Sequence, residues 1–480
     1  MDNANTPLPL GARVDPQGRR RLDVAAVASL ALPLMANGSI QLVLNLTDTW
    51  FVGQLSAEAL AAIAVVQWPS LLLIVLVGGI TFATQTIASQ GEGAGRRRAA
   101  SKAVWTSVWA LVALAPVFLA AAYVGGWVLS PFRLDGGLER LALEYWEPRL
   151  LGAPVGLMMA AVLAFFNAIA RPRYTLAVAS LVAAANVVLN YLFIFRLDMG
   201  LAGAAWATNA AQLTGLVVAL AIFLGPPLRE HYDSHLTWKL RPAAFGTAFR
   251  LGVPMGLMFA ADLMGLSLFQ IMQAQYAVVD AAATVVAMTL TAAVYMPGVG
   301  IAQAGATLVG QAVGAREYDW AQYVGIRIAL GTATLMGVLG LLLALSGPWV
   351  TPLFIDDGDP NAAQVARLAV TLLWVGAIYQ FFDGLFMASS SALRGAGDVR
   401  VAAILVAVSA MLVMVPLSHL LTFPTGGGWI GGAPGAGWGA PGGWLALTAH
   451  VLLMGSLLFL RWRSGAWRHA TGRRTPVPGR

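Results

Sequence analysis

Twelve stretches of this chain are too long and too apolar for water to be their solvent. Each holds about 20 or more mostly apolar residues, the length an α-helix needs to cross the hydrocarbon core of a bilayer. They fall at roughly 24–50, 59–88, 103–128, 143–169, 175–195, 202–225, 250–275, 281–310, 322–346, 366–393, 400–422 and 444–461. The composition agrees: 58% of residues are hydrophobic, 11% are charged and the mean hydropathy is +0.73. A soluble domain carries about 25% charged residues. A soluble enzyme, a disordered chain and a nucleic-acid-binding protein are therefore excluded. The net charge of +7 comes from short basic clusters between apolar runs. The absence of Cys rules out disulfides, thiolate metal sites and a Cys nucleophile. The 52 Gly and 24 Pro read as close helix packing and broken helices. The first stretch is too long for a signal peptide and takes part in an internal repeat, so it is expected to stay uncleaved.

Basic residues orient the spans. With the N-terminus inside, 24 of the 29 Lys and Arg fall on the cytoplasmic side. Arg133, Arg140, Arg149, Arg196 and Arg367 stay outside. This bias supports an even number of spans with both termini in the cytoplasm.

The chain also repeats once. Gln90 of Gln-Gly-Glu-Gly-Ala-Gly-Arg96 lies 57 residues after Pro33, and Gln311 of Gln-Ala-Val-Gly-Ala-Arg316 lies 57 residues after Pro254. Arg171-Pro-Arg173 and Arg394-Gly-Ala-Gly-Asp398 fill corresponding turns 138 and 140 residues after the two prolines. Six spans per half run the same way across the membrane, which is a parallel repeat. The expected fold is an all-α integral membrane protein with twelve transmembrane helices in two six-helix repeats. Its parts are a cytoplasmic segment 1–23, a lobe 24–225, a cytoplasmic linker 226–249, a lobe 250–462 and a basic cytoplasmic tail 463–480. Transporters are commonly built this way, with substrate between the halves.

Of the 22 acidic residues, 19 fall in loops or near span ends and three lie inside spans: Asp48, Asp262 and Asp383. A charge in hydrocarbon costs at least about 2.5–3.5 kcal/mol on insertion scales, and such residues usually face a cavity and bind ions, protons or substrate. Asp262 lies 12 residues after Arg250, about 18 Å at helical rise. Asp383 lies 11 residues before Arg394, about 16 Å from the same face. The two are expected near the midplane as a carboxylate pair that cannot both ionise cheaply and so holds a proton or a sodium ion. A sodium ion at Asp262 and Asp383 is the one metal site this reading allows. Tyr379 shares the face of Asp383 one turn away and offers a third oxygen. Asp48 sits near the outer end of the first span, in the other half. Asn186 and Asn190 on the fifth span and Thr208 on the sixth are the next oxygen-bearing groups, a supporting polar network.

Other features are read more plainly. The acidic run Asp356-Asp357-Gly-Asp359 reads as a solvated outer loop, and His419 and His450 as packing residues near the ends of late spans. The Gly-rich stretch from Gly426 to Gly443 reads as an outer loop. Of the 16 Trp and 16 Met, some suit a cavity for flat, apolar ligands, since Met surfaces adapt.

Several of these runs resemble the multidrug and toxic compound extrusion (MATE) family. Asn45-Leu-Thr-Asp48-Thr-Trp-Phe-Val-Gly53 is similar to its first-helix motif, and Gln90-x-x-Gly-Ala-Gly-Arg96 to its second-helix end. Asn186-x-x-x-Asn190 and Gly203-Ala-Ala-Trp-Ala-Thr208 are similar to its fifth and sixth helices. Arg250-Leu-Gly-Val-Pro254 resembles the seventh, and Tyr379-Gln-x-x-Asp383 with Leu393-Arg-Gly395 the tenth. The resemblance spans residues 22–462. It implies two six-helix lobes forming a V, and drug export by antiport with sodium or protons. Tyr379 and Asp383 match the NorM-type branch, where these positions and a seventh-helix acid, here Asp262, bind the coupling cation. Asp48, Asn186, Asn190 and Thr208 match a polar network in the N-terminal lobe of related branches. The eighth helix lacks the His-Gln pair common in the NorM-type branch.

The reading is therefore an exporter of amphiphilic or cationic organic compounds such as drugs and dyes. It is not an enzyme, needs no cofactor beyond a coupling Na+ or H+, and binds no nucleic acid. It is expected as a monomer in a bacterial-type inner membrane. The rival within the superfamily, a lipid-linked oligosaccharide flippase, would show Arg lining the cavity for pyrophosphate, and here no Arg or Lys lies mid-span. A membrane-embedded transferase would need paired Asp-rich motifs or an intramembrane His with a polar neighbour.

Overall fold

A computed structural model describes residues 9–240, 242–355 and 360–472. The acidic run Asp356, Asp357 and Asp359, together with Arg241, Arg473, Arg474 and Arg480, lies outside the described residues. Among the described residues, twelve helices are long and apolar enough to cross a membrane. They are α1 (Val24–Gly53), α2 (Ala57–Gly93), α3 (Arg97–Tyr123), α4 (Gly136–Ala168), α5 (Pro172–Arg196) and α6 (Gly200–Leu224). The second half adds α7 (Pro242–Tyr276), α8 (Val278–Gly314), α9 (Tyr318–Phe354), α10 (Ala362–Ala396), α11 (Val399–Thr422) and α12 (Gly439–Arg463). Every expected span is matched by one helix.

Local signals set the ends. Ser56 caps α2 by accepting the Ala59 N–H at 3.0 Å, and Asp135 caps α4 by accepting that of Leu138 at 2.7 Å. Pro172 occupies the start of α5, where a missing N–H costs nothing. The seventh helix begins at Pro242, eight residues before the expected start at 250. Pro suits a first helical position, and the Ala-rich segment behind it favours helix; hydropathy alone assigned it to the linker.

The repeat recurs in the backbone. After α2, Gly95 takes φ +68° and the Arg96 N–H bonds Gly91 O at 2.8 Å. After α8, Arg316 takes φ +62° and the Glu317 N–H bonds Ala312 O at 2.9 Å. The same turn closes α4, with Ala170 at φ +58° and Arg171 N–H to Phe166 O at 2.9 Å. It closes α10 with Gly397 at φ +84° and Asp398 N–H to Leu393 O at 2.9 Å. All four are Schellman closures, in which a left-handed residue lets a helix satisfy its last carbonyls. The second and fourth helices of each half therefore end alike.

A small hairpin precedes α1, a local departure from an all-helical chain. β1 (Ala12–Val14) pairs antiparallel with β2 (Arg20–Leu22). Asp15 accepts the N–H groups of Arg19 at 2.9 Å and Gln17 at 3.0 Å across the turn. The Arg19 N–H, followed by that of Gln17 and the charge of Arg21, holds the Asp15 carboxyl below the usual carboxylate range. Strands of three residues are too short to leave a readable alternation in sequence.

The chain divides into two compact units. One gathers Ala36–Gly256 with Val313–Arg316. Its core is aromatic at one end, where Phe165 meets Phe223 and Tyr232 edge-on at 5.0 and 5.2 Å. Elsewhere in it, Phe118, Trp146 and Leu150 are buried together. Glycines allow the closest helix approach: a Cβ at Gly79 would collide with Gly252 O, and one at Gly256 with Leu76 O. The linker is docked on α3 in this unit. Ser101 donates to Tyr232 O at 2.8 Å, Trp105 to Ser234 O at 2.9 Å and Trp109 to Trp238 O at 2.8 Å. Burial, with Glu92 beside it, pushes the Tyr232 phenol up.

The other unit gathers, among the described residues, those of 9–35, Leu257–Ala312 and 317–472. Phe269, Leu372 and Trp444 anchor its core. Arg461 holds Asp398 in a two-pronged ion pair at 2.7 and 3.1 Å, pinning the end of α12 to the turn after α10. The Gly-rich segment after α11 is tied down. The His419 Nε2 accepts the N–H groups of Trp429 at 2.9 Å and Ile430 at 3.3 Å, and Asp280 accepts that of Ala440 at 2.6 Å. His419 is thus a loop anchor more than a packing residue.

Candidate functional site

Each unit carries its own intramembrane polar site. In the first, the carboxylate comes from α1 and its partners from α5 and α6. Asn190 donates from Nδ2 to Asp48 Oδ1 at 2.6 Å and to Asn186 Oδ1 at 3.0 Å. Asn186 donates from Nδ2 to Thr208 Oγ1 at 3.4 Å, and Thr208 donates to Ala204 O at 3.1 Å. Asn186 and Asn190 are fully buried, while Asp48 is half-buried. One helical turn separates the two Asn, so one face of α5 presents both to the neighbouring helices. Arg149 of α4 is the cation within electrostatic reach of Asp48. The Asn190 Oδ1 is buried with no hydrogen-bond partner, an acceptor held toward the network without a donor of its own. The structure therefore joins all four of the residues expected in this half.

In the second unit, Asp383 of α10 is only 4% exposed, and its Oδ2 is buried without a hydrogen-bond partner. Small residues allow this. Gly384 lets α10 press against α9, where an added Cβ would stand 3.0 Å from Ala333 Cα. One turn before, Tyr379 lies half-buried with its ring edge-on to Trp444 at 6.3 Å. Gln380 donates to Thr291 O at 2.9 Å, and its own Oε1 is buried without a donor. Asp262, Asp383, Tyr379 and Tyr295 lie within electrostatic reach of one another. An orphaned carboxylate oxygen is costly in a low-dielectric setting unless a proton or a cation accompanies it.

Asp262 has different company from what the sequence suggests. Its side chain is 43% exposed, and its hydrogen-bond partner is His450 Nε2 at 3.4 Å. His450 is 1% exposed, and its Nδ1 meets Ser409 Oγ at 2.8 Å. Among the described residues no hydrogen bond joins Asp262 to Asp383 or Tyr379 to Asp383. Ser409 carries no signal in the sequence, and His450 reads there as a packing residue. One signal was available: His450 lies 11 residues before Arg461, the same interval that separates Asp383 from Arg394. Both residues therefore sit at one depth.

The MatE family profile matches residues 33–192 and 254–420. A probable multidrug resistance protein NorM from Bradyrhizobium diazoefficiens is 25% identical over 458 residues, covering 94% of this chain and 96% of its own. The protein of the same description from Pseudomonas aeruginosa is 29% identical, covering 92% of this chain and 90% of its own. Among solved structures, an outward-facing multidrug resistance MATE family transporter of the MOP superfamily aligns with a TM-score of 0.81. It is 19% identical and covers 92% of this chain and 96% of its own.

Proposed function

The chain belongs to the MatE family, and from that premise we propose that it is a multidrug exporter that moves amphiphilic or cationic organic compounds out across a membrane. It is a multi-pass membrane transporter, not an enzyme. The placement proposed is a bacterial-type inner membrane with both termini cytoplasmic, supported by the 24-to-5 bias of Lys and Arg. The proposed driving force is antiport with Na+ or H+.

The observation that carries the coupling is Asp383, nearly fully buried with an oxygen that no protein donor satisfies. Such a group is stable when a proton or a small cation shares the site, and it attracts an organic cation when that companion leaves. Drug and driving cation then compete for one set of charges. Tyr379 and Asp262 are proposed to share in that set. Asp48 with Asn186, Asn190 and Thr208 is proposed as a second acidic site in the other half. A cation arriving from the side of high potential lowers drug affinity, and drug leaves on that side.

Expression in a bacterial host lacking its own drug pumps tests this. The chain should raise the inhibitory concentration of ethidium several-fold, and Asp383→Asn, at equal membrane abundance, should abolish the increase. Resistance that Asp383→Asn retains in full would remove Asp383 from the mechanism. An unchanged wild-type host would remove drug export itself.

A further inference from the structure

Asp262 stands within electrostatic reach of Asp383, yet its hydrogen bond leads to a different helix. Asp262 of α7 is joined to His450 of α12, and through it to Ser409 of α11. These are the first, sixth and fifth helices of the second half. In the first half, Asp48, Asn190 with Asn186, and Thr208 come from α1, α5 and α6, the same three positions. A second correspondence is independent of side chains. The α5 backbone passes into a π turn at Tyr191–Arg196, directly after Asn190. The α11 backbone passes into one at Ala410–Met414, directly after Ser409. Such turns are rare and gather at functional positions.

We infer that Asp262, His450 and Ser409 form the second half's counterpart of the Asp48 network, with His450 as the positioning residue of Asp262. The atoms assign the roles. An ionised carboxylate only accepts, so the Nε2–H of His450 donates to Asp262 Oδ1. Nδ1 is then left to accept the Ser409 hydroxyl, which fixes the ring and its tautomer. The imidazole is buried away from solvent. Asp262 stays 43% exposed, so a driving cation reaches the carboxylate while the buried ring holds its orientation. The other titratable groups in reach of Asp262 are Asp383 and Tyr379 of α10 and Tyr295 of α8. Beyond Arg327, α9 carries no acid or base.

This role rests on the cation-coupled reading above. The test uses the full chain in proteoliposomes, with ethidium as the transported probe and pH and Na+ varied separately. Partners that orient a ligating group commonly change cation affinity by about 10–100-fold when removed. His450→Phe should therefore raise the half-saturating concentration of the driving cation by roughly ten-fold or more, a larger factor than any change in ethidium affinity measured in the cation's absence. His450→Gln, which restores an N–H at the position of Nε2, should recover most of the shift. A purely structural role would lower dye binding and thermal stability without moving the cation's half-saturation. An unmoved value in His450→Phe, beside an impaired Asp262→Asn, overturns the role. If His450→Phe does not fold, Ser409→Ala is decisive, since it keeps the imidazole but frees the ring. A shift of roughly three-fold in the same direction supports the role, and none overturns it. A wild type that responds to neither cation defeats the coupled reading as well, which separates the two failures.

Discussion

Asp48 keeps its place through a donor that serves two acceptors at once. Asn190 Nδ2 reaches both Asp48 Oδ1 and Asn186 Oδ1, so its loss strands the buried Asn186 oxygen and takes a donor from the half-buried Asp48. Stranding a buried polar group costs about 1–3 kcal/mol. Asn190→Ala should therefore lower the thermal midpoint of the purified protein, whereas an exposed change such as Leu46→Ala should leave it in place. Unfolding followed by tryptophan fluorescence in detergent measures both, and equal midpoints would mean the network does not hold the fold. The three intramembrane carboxylates were legible in the sequence because a charge among apolar residues is conspicuous. So were Asn186 and Asn190, whose spacing alone puts them on one face. Ser409 was not, because a serine in a membrane helix is ordinary until its neighbour is known. The partnership of His450 with Asp262 joins residues 188 apart in sequence, and no local pattern encodes that.

The elements repeat more faithfully than the sequence does. Four helix ends adopt one closure, yet the left-handed position is glycine in only two of them, Gly95 and Gly397. Ala170 and Arg316 fill the equivalent positions at φ +58° and +62°, where a Cβ crowds the following carbonyl at about 1–2 kcal/mol. Ala170→Gly should therefore stabilise the protein by about 1 kcal/mol, after the entropy of glycine in the unfolded chain is subtracted. A rise in the thermal midpoint of a few degrees checks it; a fall would mean that the alanine methyl packs better than its backbone suffers. Span existence was readable from hydropathy, since each helix has to meet lipid along its length. Boundaries were less so, because the start of α7 at Pro242 depends on capping and propensity in a segment that is barely apolar. The π turns of α5 and α11 left no trace at all, since they come from how the helices pack.

For the whole molecule, family and fold rest on twelve helices and a profile that matches both halves. Energetics permit the proposed coupling of drug export to a cation. One elementary charge moved across 100 mV supplies about 2.3 kcal/mol, enough for roughly a fifty-fold gradient of drug. The two acidic sites proposed above, one per unit, would give such a charge two places to bind. The most direct measurement is ethidium accumulation in everted membrane vesicles, with a proton gradient and a sodium gradient imposed separately, for wild type and Asp383→Asn. Accumulation driven by one of the two gradients, and lost in Asp383→Asn, is the predicted result; accumulation under neither, or accumulation that Asp383→Asn leaves intact, would contradict it.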